Sequence, residues 1–244
     1  MDTISILAAG GMQARMQSLD MLANNLANVE TGGYKADRER FSLFISPDAS
    51  ADPVTGADTT LPLIESTWTD TSQGVLRDTF NPLDVAIDGS GMFAIQTPQG
   101  VRYTRNGNFR VNAKGALAAN DGNPVLARNG KTIALQPGLP VDVDQNGSIQ
   151  QGGQQIAQIE TVQFDPGNLA KTGLNYFIPL NGATSKPASG KIVQGKLEQS
   201  NVGSAESAVR LIAIMRQFEM LQKAMTIAGE LNQKAIQEVA RVAT

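Results

Sequence analysis

The sequence predicts an α+β protein. A long helix stands at each end, the two pairing as a coiled-coil-like core domain, and a central antiparallel β-rich domain lies between them. Three observations carry this. Toward the C-terminus, apolar or small residues recur at Leu211, Ile214, Phe218, Leu221, Met225, Ala228, Asn232, Ala235, Val239 and Val242, in steps that alternate three and four. The same alternation runs through Ala8, Met12, Arg15, Leu19, Leu22, Leu26 and Val29. Between these stripes, short alternating runs are separated by Asn-Gly and Asp-Gly pairs. A sustained three-four repeat holds one seam of a helix against another helix. Period-two runs with such turns mark antiparallel hairpins.

The first helix is expected from about Thr3 to Asn28, because Ala, Met, Leu and Gln dominate it. Gly10-Gly11 interrupts those good helix formers. Either the glycines admit a neighbouring helix at close range, or they fray and kink the start. Asn24, Asn25 and Asn28, followed by Thr31-Gly32-Gly33, form a helix stop. From Tyr34 to Pro62 a mixed charge cluster, Lys35 to Arg40, gives way to a stretch rich in Pro, Asp, Ala, Thr and Gly. It offers little apolar surface and reads as an extended arm with a mobile loop. Strands are then expected over Asp84–Asp88, Met92–Thr97, Val101–Arg105 and Phe109–Asn112. Turns fall at Asp88-Gly89, Pro98-Gln99-Gly100, Asn106-Gly107, Asp121-Gly122, Asn129-Gly130 and Asn146-Gly147. Two later strands are expected over Ile156–Phe164 and Ile192–Glu198. The last helix begins near Ser204 as N-cap, with Glu206 in its first turn. At ~1.5 Å per residue it reaches roughly 60 Å, too long to be covered by the β domain alone. The expected organisation is a helix over 1–33, an arm and loop over 34–80, the β domain over 81–185, a return strand and linker over 186–203, and a helix over 204–244.

Composition removes whole classes of function. The 244 residues contain no cysteine and no histidine. Thiolate chemistry, disulfides and cysteine zinc sites are therefore excluded, and so are the commonest general base and metal ligand. The net charge is −3 with no long run of either sign, whereas a nucleic-acid binder usually carries a basic stripe. The start, Met1-Asp2-Thr3-Ile4, lacks the basic and apolar regions of a secretory signal. No stretch approaches the roughly 18 to 20 apolar residues that span a bilayer.

The motif fragments each lack an essential part. Gly130-Lys131-Thr132 resembles the end of a phosphate-binding loop, but Val125 stands where that loop needs glycine. Asp142, Asp144, Asn146 and Gly147 match the first half of a calcium loop, but Gly153 occupies the place of its bidentate glutamate. Gly89-Ser90-Gly91 has no histidine to activate the serine. Met215, Met220 and Met225 read as adaptable helix packing. No catalytic, cofactor-binding or metal residue is assigned, and no cofactor is expected. Two other classes are weighed: a β-rich adhesin or glycan-binding module, against which the single tryptophan, Trp68, counts, and a glycoside hydrolase built on Asp84 and Asp88. Strand and turn chemistry explains those carboxylates better.

The segment Ala23–Lys35, with Asn24, Asn25, Leu26, Asn28, Thr31, Gly33 and Tyr34, resembles the N-terminal signature of the flagellar axial proteins, the rod, hook and hook-associated proteins. Gly32 stands where that family often has threonine, and Tyr34 where phenylalanine is commoner. Asn81–Ile87 with Gly89, Gly91 and Phe93, then Tyr103-Thr104-Arg105 with Gly107, Phe109 and Gly115, resembles the β domain of rod and hook proteins. Arg216–Met220, in a helix preceded by Ser200-Asn201-Val202, is a third match in the family order. Length and the Arg-Gln-Phe-Glu block favour a proximal-rod type, with a distal-rod type as the near alternative.

The resemblance implies a structural, non-enzymatic subunit of the bacterial flagellar basal-body rod. It implies export without a cleaved signal through the flagellar type III apparatus. Partners would be other rod proteins and copies of the chain in a helical, periplasm-crossing assembly that transmits torque and conducts exported subunits. It implies neither nucleic-acid binding nor membrane insertion. The expected assembly interface is Met12, Leu19, Leu22, Asn25, Leu26, Asn28, Val29, Leu211, Ile214, Phe218, Leu221 and Met225.

Overall fold

A computed structural model describes residues 3–45, 60–165, 167–180 and 182–242. The chain forms two compact units. The first comprises 1–27, 37–68 and 203–244, and the second comprises 28–36 and 69–202. No helix among the described residues is long and apolar enough to cross a membrane.

In the first unit, helix α1 spans Thr3–Ala27 and helix α2 spans Ser204–Val242. Strands β1 (Asp37–Ile45) and β2 (Thr60–Thr69) pair with each other. The region read as an arm thus contains a two-stranded sheet, while the centre of the expected loop, 46–59, lies outside the described residues. The β-branched and aromatic residues of 60–69 suit a pleated surface, a signal masked by the polar composition on either side. The N-cap of α2 falls one residue early. The Gly203 carbonyl accepts the Ser207 N–H at 2.9 Å, the first intrahelical bond, and Ser204 is the first helical residue.

The two helices pack on each other, and they run antiparallel. The Asn25 side chain, near the end of α1, bonds both backbone groups of Asp37 at 2.8 and 3.0 Å. Two residues on, Glu39 pairs with Arg210 at 2.9 Å, near the start of α2. Farther from that end, a Cβ placed on Gly11 would lie 3.5 Å from Leu221 Cδ1. Helix α1 runs unbroken through Gly10-Gly11, so the break is not seen; at Gly11 a Cβ would meet Leu221 at ordinary van der Waals distance, so close backbone approach does not explain that glycine either. Helix α2, with 39 residues against 25, extends past the start of α1.

The second unit is antiparallel β. Its strands are β3 (Leu76–Asp78), β4 (Val85–Asp88), β5 (Met92–Thr97), β6 (Gly100–Thr104), β7 (Phe109–Val111), β8 (Leu117–Ala119) and β9 (Asp142–Val143). There follow β10 (Ser148–Gln151), β11 (Gln154–Gln158), β12 (Thr161–Gln163), β13 (Leu169–Thr172), β14 (Tyr176–Pro179), β15 (Lys186–Pro187), β16 (Lys191–Gln194) and β17 (Lys196–Glu198). The largest sheet has the order β13-β14-β6-β5-β12-β15. Smaller sheets pair β11-β10-β9, β16-β4, β17-β3 and β7-β8.

Val85, Ile87, Phe93, Ile95, Phe109, Val125, Ile133, Ile149 and Ile192 converge in one core. Phe93 and Phe109 meet edge to face with centroids 5.2 Å apart, a favoured arrangement of ring quadrupoles. At ~1.5 to 3 kcal/mol per large buried side chain, this cluster is the main stabilising term of the unit.

The expected strand over Ile156–Phe164 divides into β11 and β12, and that over Ile192–Glu198 divides into β16 and β17. The second break is at Gly195, whose φ of 73° interrupts extended backbone. Asn106-Gly107 is not the positive-φ turn expected of it. A Cβ on Gly107 would stand 1.7 Å from the Val85 carbonyl oxygen, so glycine is there for close backbone passage. The Gly107 carbonyl in turn accepts the Val85 N–H at 3.0 Å.

Candidate assembly seam and buried charge clasp

From Leu211 to Ala228 the α2 stripe predicted from the sequence is the face that α2 buries, while Asn232, next on that stripe, is exposed. Ile214 and Ala228 are buried, and Leu211, Phe218, Leu221 and Met225 are half-buried at the same three-four spacing, with Ser207 buried one step earlier. The α1 stripe is rotated by about one residue. The most deeply covered positions are Ala14, Ser18, Leu22 and Asn25, with Gly11 directed at Leu221. Met12, Leu19 and Leu26 lie half-buried beside that line. Size bears on this: the small side chains of Ala14 and Ser18 leave room along this line for larger α2 side chains. The Ser18 hydroxyl satisfies itself on the Ala14 carbonyl at 3.1 Å.

Among the other predicted interface residues, Asn25 has its amide committed to the backbone of β1. In the second unit, Asn28 closes the turn after the helix, its carbonyl and side-chain oxygens each accepting from Thr31 at 3.1 Å. Val29 is half-buried.

The second unit holds a feature that the sequence reading missed. Lys35, Arg105 and Glu198, from three distant segments, meet with side chains at most 4% exposed. The Lys35 Nζ lies 2.5 Å from Glu198 Oε1 and donates to the Ser72 carbonyl at 2.6 Å. Oε1 also accepts the Gly74 N–H at 2.9 Å. The Arg105 Nε stands 2.8 Å from Glu198 Oε2, yet Oε2 accepts no hydrogen bond, so that contact is an ion pair with its N–H off axis. The remaining guanidinium nitrogens donate to the carbonyls of Gly91 and Gly89 at 2.8 and 2.9 Å.

Two cations thus share one carboxylate, and main-chain carbonyls solvate the excess positive charge. Burial lowers the pKa of the Lys35 ammonium, and the charge of Glu198 opposes that shift. The same two causes act on Arg105.

Backbone bonds complete the clasp. Gly33 N–H donates to the Glu198 carbonyl at 2.7 Å. Asn201 accepts the Ala36 N–H at 2.7 Å and donates to the Asp70 carbonyl at 2.7 Å. Lys171 lies over the Tyr34 ring, 4.2 Å from its centroid. The signal that could have found these residues is that Lys35 ends one recognised block, Arg105 closes the Tyr103-Thr104-Arg105 run inside another, and Glu198 sits just before Ser200.

The expected calcium fragment is a turn. Asp144 Oδ1 accepts the N–H groups of Asn146 and Ser148 at 2.9 and 2.8 Å. Asp84, one of the two carboxylates weighed for glycoside hydrolysis, is buried and accepts from Asn108 at 2.9 Å.

Comparison with known proteins places these elements in one lineage. Residues 7–35 match the family described as flagella basal body rod protein. Residues 86–155 match the flagellar hook protein FlgE/F/G D1 domain, and 193–238 the flagellar basal body rod FlgEFG protein C-terminal region. Lys35, Arg105 and Glu198 fall one in each matched block. The chain is 31% identical to the flagellar basal-body rod protein FlgF of Caulobacter vibrioides, over 99% of this chain and 100% of that one. It is 33% identical to FlgF of Mesorhizobium japonicum, over 94% and 95% of the two chains. It is 34% identical to the flagellar basal-body rod protein FlgG of Bacillus subtilis, over 93% and 95%. With full-length similarity, all three blocks in order, and a helix pair made from the two chain ends, the chain belongs to the flagellar basal-body rod protein family.

Proposed function

We propose that this chain is a proximal-rod subunit that polymerises with its own copies and other rod proteins into the periplasm-crossing drive shaft. The shaft transmits torque and conducts exported subunits. The observation that carries this reading is the pairing of the two terminal helices along a three-four seam, in a chain whose relatives are rod proteins along their whole length. The pairing is coiled-coil-like in this reading, with Met12, Leu19, Leu22, Leu26, Leu211, Ile214, Phe218, Leu221 and Met225 holding the helices as one assembly body, and Asn25, Asn28 and Val29 fixing its exit. The division into helix, arm, β domain, linker and helix follows the same logic: the ends assemble and the β unit stands as a preformed block. The protein passes through the flagellar type III export apparatus without a cleaved signal. It performs no catalysis, needs no cofactor, and neither binds nucleic acid nor inserts into a membrane. The absence of histidine and cysteine supports this.

Electron microscopy of basal bodies from a strain lacking the gene tests the proposal. The expected result is a rod that stops beside the motor ring and bears no hook, restored by the intact gene. Complete hook–basal bodies in the deletion strain would overturn it. A rod truncated next to the hook instead would assign the chain to the distal segment.

A further inference from the structure

The seam of α2 is already covered inside the chain by α1, so it is not the surface a neighbouring subunit can meet. The opposite face of α2 is open. Val209, Ile212, Met220, Ile227 and Leu231 are 53 to 69% exposed. At 100° per residue they share one side of the helix, turned away from Ile214 and Phe218. A row of large apolar side chains along one exposed helix marks an interaction surface.

We infer that this outer stripe of α2 docks on the outer face of α1 in a second copy of the chain, an inference that rests on the rod-subunit reading. Two observations select that occupant. The first is complementarity. The outer face of α1 is mostly low or polar, with Ala23 and Ala27 beside Gln13 and Gln17 and one larger apolar side chain, Met16, all exposed, so between these it can accept large side chains. Asp20 is the one charge exposed on α1 between Ala9 and Ala27, whereas Arg216, Lys223 and Lys234 stand exposed within the α2 stripe and outnumber its one acid, Glu230. The second is symmetry. Stripe against stripe would be isologous and would stop at a dimer, burying the apolar row in both copies. Stripe against the back of α1 is heterologous: each added copy presents a fresh stripe, and the contact propagates as an open helical assembly. Only the second arrangement suits a chain of a rod-building family.

The absence of native cysteine makes disulfide mapping on the full chain direct. Ile227→Cys is produced alone and with Met16→Cys, Asp20→Cys or Ala23→Cys, which place thiols along the outer face of α1. Basal bodies are isolated after mild oxidation and resolved without reductant. These faces look away from each other within one chain, so any such disulfide joins two copies. The expected result is covalent dimers and longer species from at least one double variant and none from Ile227→Cys alone. Dimers from Ile227→Cys alone would overturn the inference in favour of stripe-to-stripe packing. The chain present in basal bodies but uncoupled in every variant would overturn it outright, and both results leave the rod-subunit reading standing. Absence of the chain from basal bodies would instead sink that reading and the inference with it. As a second measurement, Ile227→Asp lies on an exposed surface. It should keep the wild-type melting profile while incorporation falls about tenfold or more, the equivalent of ~1.4 kcal/mol or more of lost contact. Unchanged incorporation would overturn the inference.

Discussion

At the scale of single residues, Glu198 is the most consequential side chain in the second unit. It is fully buried between two cations, and nothing else among the described residues neutralises either by direct contact. Glu198→Gln keeps the shape and removes the charge, leaving Lys35 and Arg105 buried without a counterion. Breaking such a pair costs roughly 3 to 5 kcal/mol. We expect a large drop in the melting temperature of the full chain by calorimetry. A shift of a degree or less would show that the backbone carbonyls alone hold the cations. Tyr176 contributes to the stability of the fold at alkaline pH. Its hydroxyl donates to Asp121 at 2.7 Å; burial first, and then that bond, push its pKa well above the ordinary 10.0. The folded state therefore holds a proton that the unfolded state releases. The stabilisation is complete below pH 10.0 and is lost as pH rises above it toward the raised value. Thermal melts from pH 9 upward should show stability falling above about pH 10, and Tyr176→Phe should flatten that fall. An identical decline in the variant would assign the effect to other groups.

At the scale of elements, the seam of α2 was legible because the three-four repeat is a direct consequence of helix geometry. Its partner face on α1 was legible only in part, through Leu22 and Asn25. Of the four most deeply covered positions, Ala14 and Ser18 were passed over, because a search for apolar residues overlooks small ones whose value is the space they leave. The strand β2 was missed for a related reason, since pairing with β1 supplies hydrogen bonds that local composition does not advertise. Phe218 sits half-buried in the seam. Phe218→Asp puts a charge between the helices, at a cost of about 3 kcal/mol or more to the helix pair. The second unit has its own core and clasp and should remain folded. The expected outcome is a non-motile strain whose purified variant retains the β signal in circular dichroism. Normal motility would mean that the helix pair is not needed for assembly.

At the scale of the whole chain, the two units differ in how they are stabilised. The β unit has a contiguous apolar core and a buried ionic clasp. Among the described residues, the helical unit has two helices, one sheet pair and an α2 face left open. Long helices with so little partner surface are marginal on their own. Limited proteolysis of the purified monomer should remove roughly the first 30 and last 40 residues before the β unit is cut. Equal resistance of both ends in a confirmed monomer would show that the helix pair is stable before assembly. By itself, the sequence determined the α+β class, the two terminal helices, the α2 seam, most β turns and, through three separated blocks, the family. These are properties of spacing, composition and short motifs, which need no knowledge of distant neighbours. Tertiary structure alone decided that Lys35, Arg105 and Glu198 form one charge cluster, that Gly107 exists to let Val85 pass, and that the predicted seam is closed within the chain while the opposite stripe stays open. Each depends on which residues, far apart in sequence, come within a few ångströms of one another, and no local pattern records that.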